Sequence, residues 1–127
     1  MDLLFDTHAA LWWAHDPSQL STAATSAIRN ASNVIWFSAA SAWELAIKVR
    51  SGKLAVDVER LIGRLAEDGV RLLGIGTDDA IAAGSLEWSH RDPFDRMIVA
   101  QATRLDLTVV TRDQAVRRFI PARSIEA

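Results

Sequence analysis

Four short apolar runs constrain the fold more than any other feature: LLF (3–5), VIWF (34–37), VRLLGI (70–75) and LTVVT (107–111). None of them alternates apolar with polar residues, as a strand with one wet face would. A short run that is apolar throughout fits a strand covered on both sides. The stretches between them have helical spacing and helical punctuation. THAALWWA follows the first run. LSTAATSAIRNA has a cap signal at Ser21 or Thr22 and apolar residues at Ala24, Ala27, Ile28 and Ala31. AASAWELAIKVRSGK stops at Gly52 and VERLIGRLAEDG at Gly69, where glycine suits a left-handed cap. Thr77 is expected to cap DDAIAAGSLEW, whose two leading acids favour the helix dipole. DPFDRMIVAQATRL and DQAVRRF complete the helices, and ARSIEA adds a weak last strand. Strands separated by helices, with no repeat or long linker, predict an α/β fold: a three-layer α/β/α sandwich around a mostly parallel central sheet.

At 127 residues the chain is expected to be a single domain, 1–127, with enough length to bury a core unaided. It has no cysteine, so disulfides and thiolate zinc sites are excluded. No apolar run reaches the roughly 18 residues of a membrane span. The opening MDLLFD lacks the basic leader and apolar segment of a signal peptide. The expected setting is therefore cytoplasmic. The formal net charge of −2 rules out a bulk cationic nucleic-acid binder but permits a local basic strip. From Arg91 onward seven arginines face five acids, an excess that solvated helix faces also explain.

In parallel sheets ligands bind beyond the carboxyl ends of the strands, so the residues that follow each strand carry the functional signal. Asp6 follows LLF. Asp113 follows LTVVT and Arg112. Ser38 follows VIWF, with Glu44 about two helical turns on. Asp92 and Asp95 open the helix that leads into the fourth strand. Topology makes Asp6, Glu44, Asp95 and Asp113 candidates for one cluster. Each also has a plain structural reading. Asp92-Pro93-Phe94-Asp95 is good cap chemistry, with Asp92 at N-cap, Pro93 at N1 and Asp95 able to bond backward from N3. Asp6 and Asp113 suit caps as well, and Glu44 can pair with Lys48 one turn on. If the four acids converge, they need raised pKa values or a bound cation. An all-oxygen ligand set suits a hard ion, Mg²⁺ or Mn²⁺, and such an ion is equipped for phosphodiester hydrolysis.

LLFDTHAALWW, FSAASAWELAIKVRSGKL, HRDPFDRMIVAQA and LTVVTRD resemble, in order and spacing, the motifs of the PIN-domain family, and within it the VapC-type toxins of type II toxin–antitoxin pairs. The resemblance covers essentially the whole chain. It implies a small α/β/α domain with Mg²⁺- or Mn²⁺-dependent endoribonuclease activity. The family's acidic site falls on Asp6, Glu44, Asp95 and, less uniformly, Asp113, as both catalytic and metal-holding residues. Thr7 and Ser38 resemble hydroxyls that steady the site, Thr111 stands beside or in place of Asp113, and Asp92 is an outer or capping residue. Arg91, Arg96 and Arg112 become candidate RNA contacts, with ion pairing as the alternative for Arg96. The partners implied are an RNA substrate, a VapB-like antitoxin and a second copy in a homodimer, with no membrane.

Two other readings compete. An α/β phosphatase of the aspartyl-phosphate type wants a second aspartate two residues after the first, where this chain has His8. A non-catalytic partner-binding α/β module would use its acids as caps alone. His8 and His15 are seven residues apart, not the four of a helical metal pair, which argues against zinc. GIGT (74–77) lacks the Gly-Lys-Ser/Thr of a phosphate loop. Of the five tryptophans, Trp36 and Trp43 are expected inside. Adjacent Trp12 and Trp13 point about 100° apart, so one of them is a candidate for a partner surface.

Overall fold

The computed structural model describes residues 1–127. In chain order the elements are β1 (Asp2–Phe5), α1 (Thr7–His15), α2 (Thr22–Arg29), β2 (Val34–Ser38), α3 (Ala39–Arg50), α4 (Val58–Glu67), β3 (Arg71–Leu73), α5 (Thr77–Ser85), α6 (Pro93–Leu105), β4 (Thr108–Thr111), α7 (Gln114–Phe119) and β5 (Ser124–Glu126). Single 3₁₀ turns lie at Pro17–Gln19 and Pro121–Arg123.

The five strands form one sheet in the order β3-β2-β1-β4-β5, and every pairing is parallel. The sheet is thus wholly parallel, and the weak C-terminal strand is a full member beside β4. From β1 the chain first builds toward β2 and β3, then returns to place β4 on the other side of β1. The order reverses at the β1/β4 seam, the place where such sheets bind ligands.

Burial follows the two-residue period of a strand. Leu3, Phe5, Ile35, Phe37 and Val110 point to one face, where α1, α2, α3 and α4 supply Ala10, Ile28, Leu45, Leu61 and Leu65. Leu4 and Val109 point to the other, where α6 supplies Ile98 and Ala102, with Trp36 packed at the edge. Apolar residues in both phases of each central strand are what makes the runs continuous, and the three layers follow.

Several local expectations change. The third strand is only three residues long, with Arg71 and Leu72 exposed, not the six of VRLLGI. Thr77 is not a cap: Gly76 holds that position, and its N–H donates to Asp79 Oδ2 at 3.0 Å. Helix α5 stops at Ser85, short of the expected Trp88. Gly52 and Gly69 do take positive φ, 76° and 85°, where a side chain would strain the backbone. Trp43 is not inside. It is 59% exposed, because a helix that is apolar nearly all round offers no polar stripe to mark its wet face. Trp12 and Trp13 both pack on the margin of the same core, and Trp13 Nε1 donates to Asp68 at 3.1 Å. No helix is long and apolar enough to cross a membrane.

Candidate metal centre

A cavity of about 380 Å³ opens at the carboxyl end of the sheet, over the β1/β4 seam. Asp6, Glu44, Asp92, Asp95 and Asp113 all line it, with Thr7, His8, Trp12, Lys48 and Arg112. Five carboxylates from β1–α1, α3, the start of α6 and the start of α7 therefore face one space, though up to 107 residues separate them in sequence.

Each acid is held by a local reason. Asp6 caps α1 by accepting the Ala9 N–H at 2.7 Å, and its other oxygen accepts the Thr111 hydroxyl at 2.5 Å across the seam. Asp113 caps α7 through the Val116 N–H at 3.0 Å, and its own N–H donates to the Thr111 hydroxyl at 3.0 Å. Asp92 caps α6 alone, accepting from Phe94 N–H at 2.9 Å and Asp95 N–H at 3.1 Å. Asp95 does not bond backward to the helix start. Its carboxylate lies 2.7 Å from His90 Nε2 instead. Glu44 accepts the Thr7 hydroxyl at 2.5 Å and meets Lys48 Nζ at 3.2 Å. The capping reading and the cluster reading are thus both true of Asp6, Asp92 and Asp113. Helices that start at one rim bring their capping carboxylates, and the positive ends of their dipoles, to the same place.

Burial raises the Asp6 carboxyl above its ordinary value of 3.8, against the bonds from Thr111 and Ala9, and neighbouring Asp113 adds to the rise. Burial likewise pushes Asp95 up to about 6, with Asp92 and Asp113 raising it further and His90 opposing. Both shifts arise first from burial, and the neighbouring carboxylates add to them. Of the cations on the wall, Lys48 pairs with Glu44. Arg112 turns Nε and Nη2 to the carbonyls of Ala127 and Gln19 while its guanidinium lies 4.4 Å over the Trp12 ring.

No three of these side chains converge on one point at ligand distance; they stand around the cavity walls. The donor type, carboxylate and hydroxyl oxygen, is the one a hard divalent cation takes. An ion of the Mg²⁺ kind keeps several waters and needs one or two carboxylates directly.

Two expected site residues make their contacts away from the acids. The Ser38 hydroxyl is fully buried, donates to Gln101 Oε1 at 2.6 Å and accepts from Ala40 N–H at 3.1 Å, so it braces α3 and α6 and touches none of the acids. Arg96 forms no ion pair, and its guanidinium is engaged within the chain. All five of its N–H groups point to backbone carbonyls, those of Ala83, Gly84, Leu86, Trp88 and His90. Arg91 is exposed. The expected Glu44–Lys48 pair is present. The contact of His90 with Asp95 has no signal in the sequence, since His90 approaches from an irregular segment.

The family model of the PIN domain matches residues 3–120. Ribonuclease VapC22 of Mycobacterium tuberculosis (strain ATCC 25618 / H37Rv) is 37% identical over 118 residues, 91% of this chain and 89% of that protein. Among solved structures, VapBC2 from Rickettsia felis bound to a DNA fragment from its promoter aligns with a TM-score of 0.69 at 16% identity, covering 99% of this chain and 98% of the matched one. A toxin–antitoxin complex from Klebsiella pneumoniae aligns at 0.62 and 22% identity, covering 98% and 96%. FitAcB from Neisseria gonorrhoeae aligns at 0.63 and 18%, covering 99% and 97%. At these identities the structural likenesses bear on the fold alone.

Proposed function

The chain belongs to the PIN-domain family, and from that premise we propose that it is the endoribonuclease toxin of a toxin–antitoxin pair, acting as one nuclease domain over residues 1–127. Its metal-holding acids on this reading are Asp6, Glu44, Asp95 and Asp113. The observation that carries the reading is the convergence of those four carboxylates on one cavity from four distant parts of the chain. A module that used its acids as caps alone would need only Asp6, Asp92 and Asp113, yet Glu44 and Asp95 cap nothing and still face the same space.

Family membership makes the activity metal-dependent in the general sense; we assign the ion as Mg²⁺ or Mn²⁺ from the all-oxygen donor set. When bound, such an ion supplies polarisation of the phosphodiester and a water acidified toward neutrality. The chain's own groups do the rest. Thr111 and the Ala9 N–H fix the two oxygens of Asp6. Thr7 and Lys48 fix Glu44. Asp92 holds the first turn of α6 so that Asp95 faces the cavity from N3. Arg112 lies at the wall with Nη1 free of any protein acceptor, suited to an RNA phosphate. Arg91 is the second phosphate contact proposed, from its exposure beside Asp92.

A VapB-like antitoxin is the partner, RNA the substrate, a homodimer the expected assembly and the cytoplasm the expected setting. The phosphatase reading has no supporting observation: His8 occupies the place of its second aspartate, and it is exposed on the cavity wall.

Purified protein is expected to cut RNA with Mg²⁺ or Mn²⁺ and to stop on EDTA addition. Asp6→Asn should lower the cutting rate by about 10²-fold or more, the scale of losing a charge that acts directly on the reaction, with its circular dichroism unchanged. Cutting that persists in EDTA rejects the metal mechanism.

A further inference from the structure

Residues 86–92, between α5 and α6, form no regular element, yet they are tied down from three sides. Arg96 gathers their carbonyls: Nε donates to Ala83 at 2.9 Å, Nη1 to Trp88 at 2.8 Å and His90 at 3.0 Å, and Nη2 to Leu86 at 2.9 Å and Gly84 at 3.4 Å. From the opposite side Trp88 lies flat on Phe119 of α7, centroids 4.5 Å apart and planes 11° from parallel. The His90 ring packs on the same indole at 4.7 Å. The outcome of this bracing is the His90 Nε2 to Asp95 Oδ2 contact at 2.7 Å. His90 is not part of the cavity wall, whereas Asp95 is. The imidazole therefore meets the carboxylate from outside the cavity.

We infer that His90 is a positioning residue for the metal site: its Nε2–H donates to Asp95 Oδ2, fixes the carboxylate's rotation and leaves Oδ1 as the oxygen offered to a divalent cation. Arg96 acts one step further out, by holding the segment that holds His90. An outer hydrogen bond of this kind orients a ligating carboxylate and commonly changes metal affinity by about 10–100-fold. The inference rests on the reading of Asp95 as a cation-holding residue. It stands against a rival role for the same contact, in which the imidazole is a resident countercharge that a metal must displace. The two differ in sign: removing a positioning group weakens metal binding, and removing a competitor strengthens it.

The experiment measures Mn²⁺ dissociation constants, by electron paramagnetic resonance of the free ion, on the wild-type chain and on His90→Ala, His90→Gln and Asp6→Asn. Each protein is also melted in EDTA. His90→Ala is expected to bind Mn²⁺ at least about tenfold more weakly. It should melt in EDTA within about 2 °C of wild type, since the ring is partly exposed and its removal leaves the core intact. His90→Gln, which presents an N–H near the position of Nε2, is expected to restore most of the affinity; a purely packing role would give no such rescue. Binding by His90→Ala as tight as wild type, or tighter, overturns the inference, and so does a His90→Gln variant as weak as His90→Ala. Wild-type protein that takes up no Mn²⁺ overturns both the inference and the site it rests on. Uptake lost in Asp6→Asn but kept in His90→Ala removes the role of His90 alone.

Discussion

Gln101 is fully buried on α6, and its amide serves three other elements. Oε1 accepts the Ser38 hydroxyl from the end of β2, and Nε2 donates to Gly74 O at 3.1 Å and to Asp79 Oδ2 at 3.3 Å. Asp79, itself 1% exposed, also accepts from the Gly76 N–H and from Arg104 Nε at 2.6 Å. Gln101→Leu keeps the volume but leaves the buried Ser38 hydroxyl without its acceptor and takes a donor from Gly74 O and from Asp79, so it is expected to cost about 2 kcal/mol in urea unfolding, the scale of leaving a buried polar atom unpaired. Burial pushes the Asp79 carboxyl up, but the bonds from Arg104, Gly76 and Gln101 outweigh it and hold the group below its ordinary value of 3.8. A carboxyl depressed on folding adds stability above its unfolded pKa and loses it as the pH falls through the folded one. Asp79→Asn should therefore melt below wild type at pH 7, and the two should converge as the pH drops below 3.8; a gap that stays constant would contradict the assignment. None of this was legible in the sequence. Asp78 and Asp79 look alike at the start of α5, and only the fold shows that one is exposed while the other lies under Arg104, 25 residues away.

Elements were more legible than residues, because periodicity is a property of many side chains at once. All five strands and all seven helices stand where the pattern put them, within a few residues. The failures came where a pattern was short or unpolarised. Chain at 70–75 is apolar enough to read as a long strand, but it lies at the sheet edge and pairs over three residues only. Helix α3 has too little polarity contrast to reveal that Trp43, with Ala46 and Ile47, faces solvent. At α6 the cap and the site share one residue, and substitution can separate them. Asp92→Asn keeps an acceptor for the Phe94 and Asp95 N–H groups, so its melting temperature should match wild type. Asp92→Ala removes the acceptor and should cost about 1 kcal/mol. If both variants cut RNA equally slowly while only Asp92→Ala is destabilised, the charge of Asp92 contributes to the site beyond its capping. If Asp92→Asn is fully active, Asp92 is a cap alone.

At the scale of the whole molecule, the sequence disclosed that acids follow strands but not which strands are neighbours. The order β3-β2-β1-β4-β5 sets β1 in the middle, so Asp6 stands between the acids carried by α3 and those at α6 and α7. Only the complete sheet brings Asp6, Glu44, Asp95 and Asp113 together, and an unfolded chain offers a cation nothing comparable. If the proposed site holds a divalent ion, its binding stabilises the entire fold, because a ligand that binds only the native state lowers its free energy by RT ln(1 + [L]/Kd). Burial disfavours the charges on Asp6 and Asp95, a cost that a cation between them would relieve. At a hundredfold excess of Mn²⁺ over its dissociation constant the gain is about 2.7 kcal/mol, which for a domain of this size is roughly 10 °C in melting temperature. The shift should grow with the logarithm of Mn²⁺ concentration, vanish in EDTA and be largely lost in Asp6→Asn. A melting temperature indifferent to Mn²⁺ would mean that the four carboxylates share a cavity without sharing an ion.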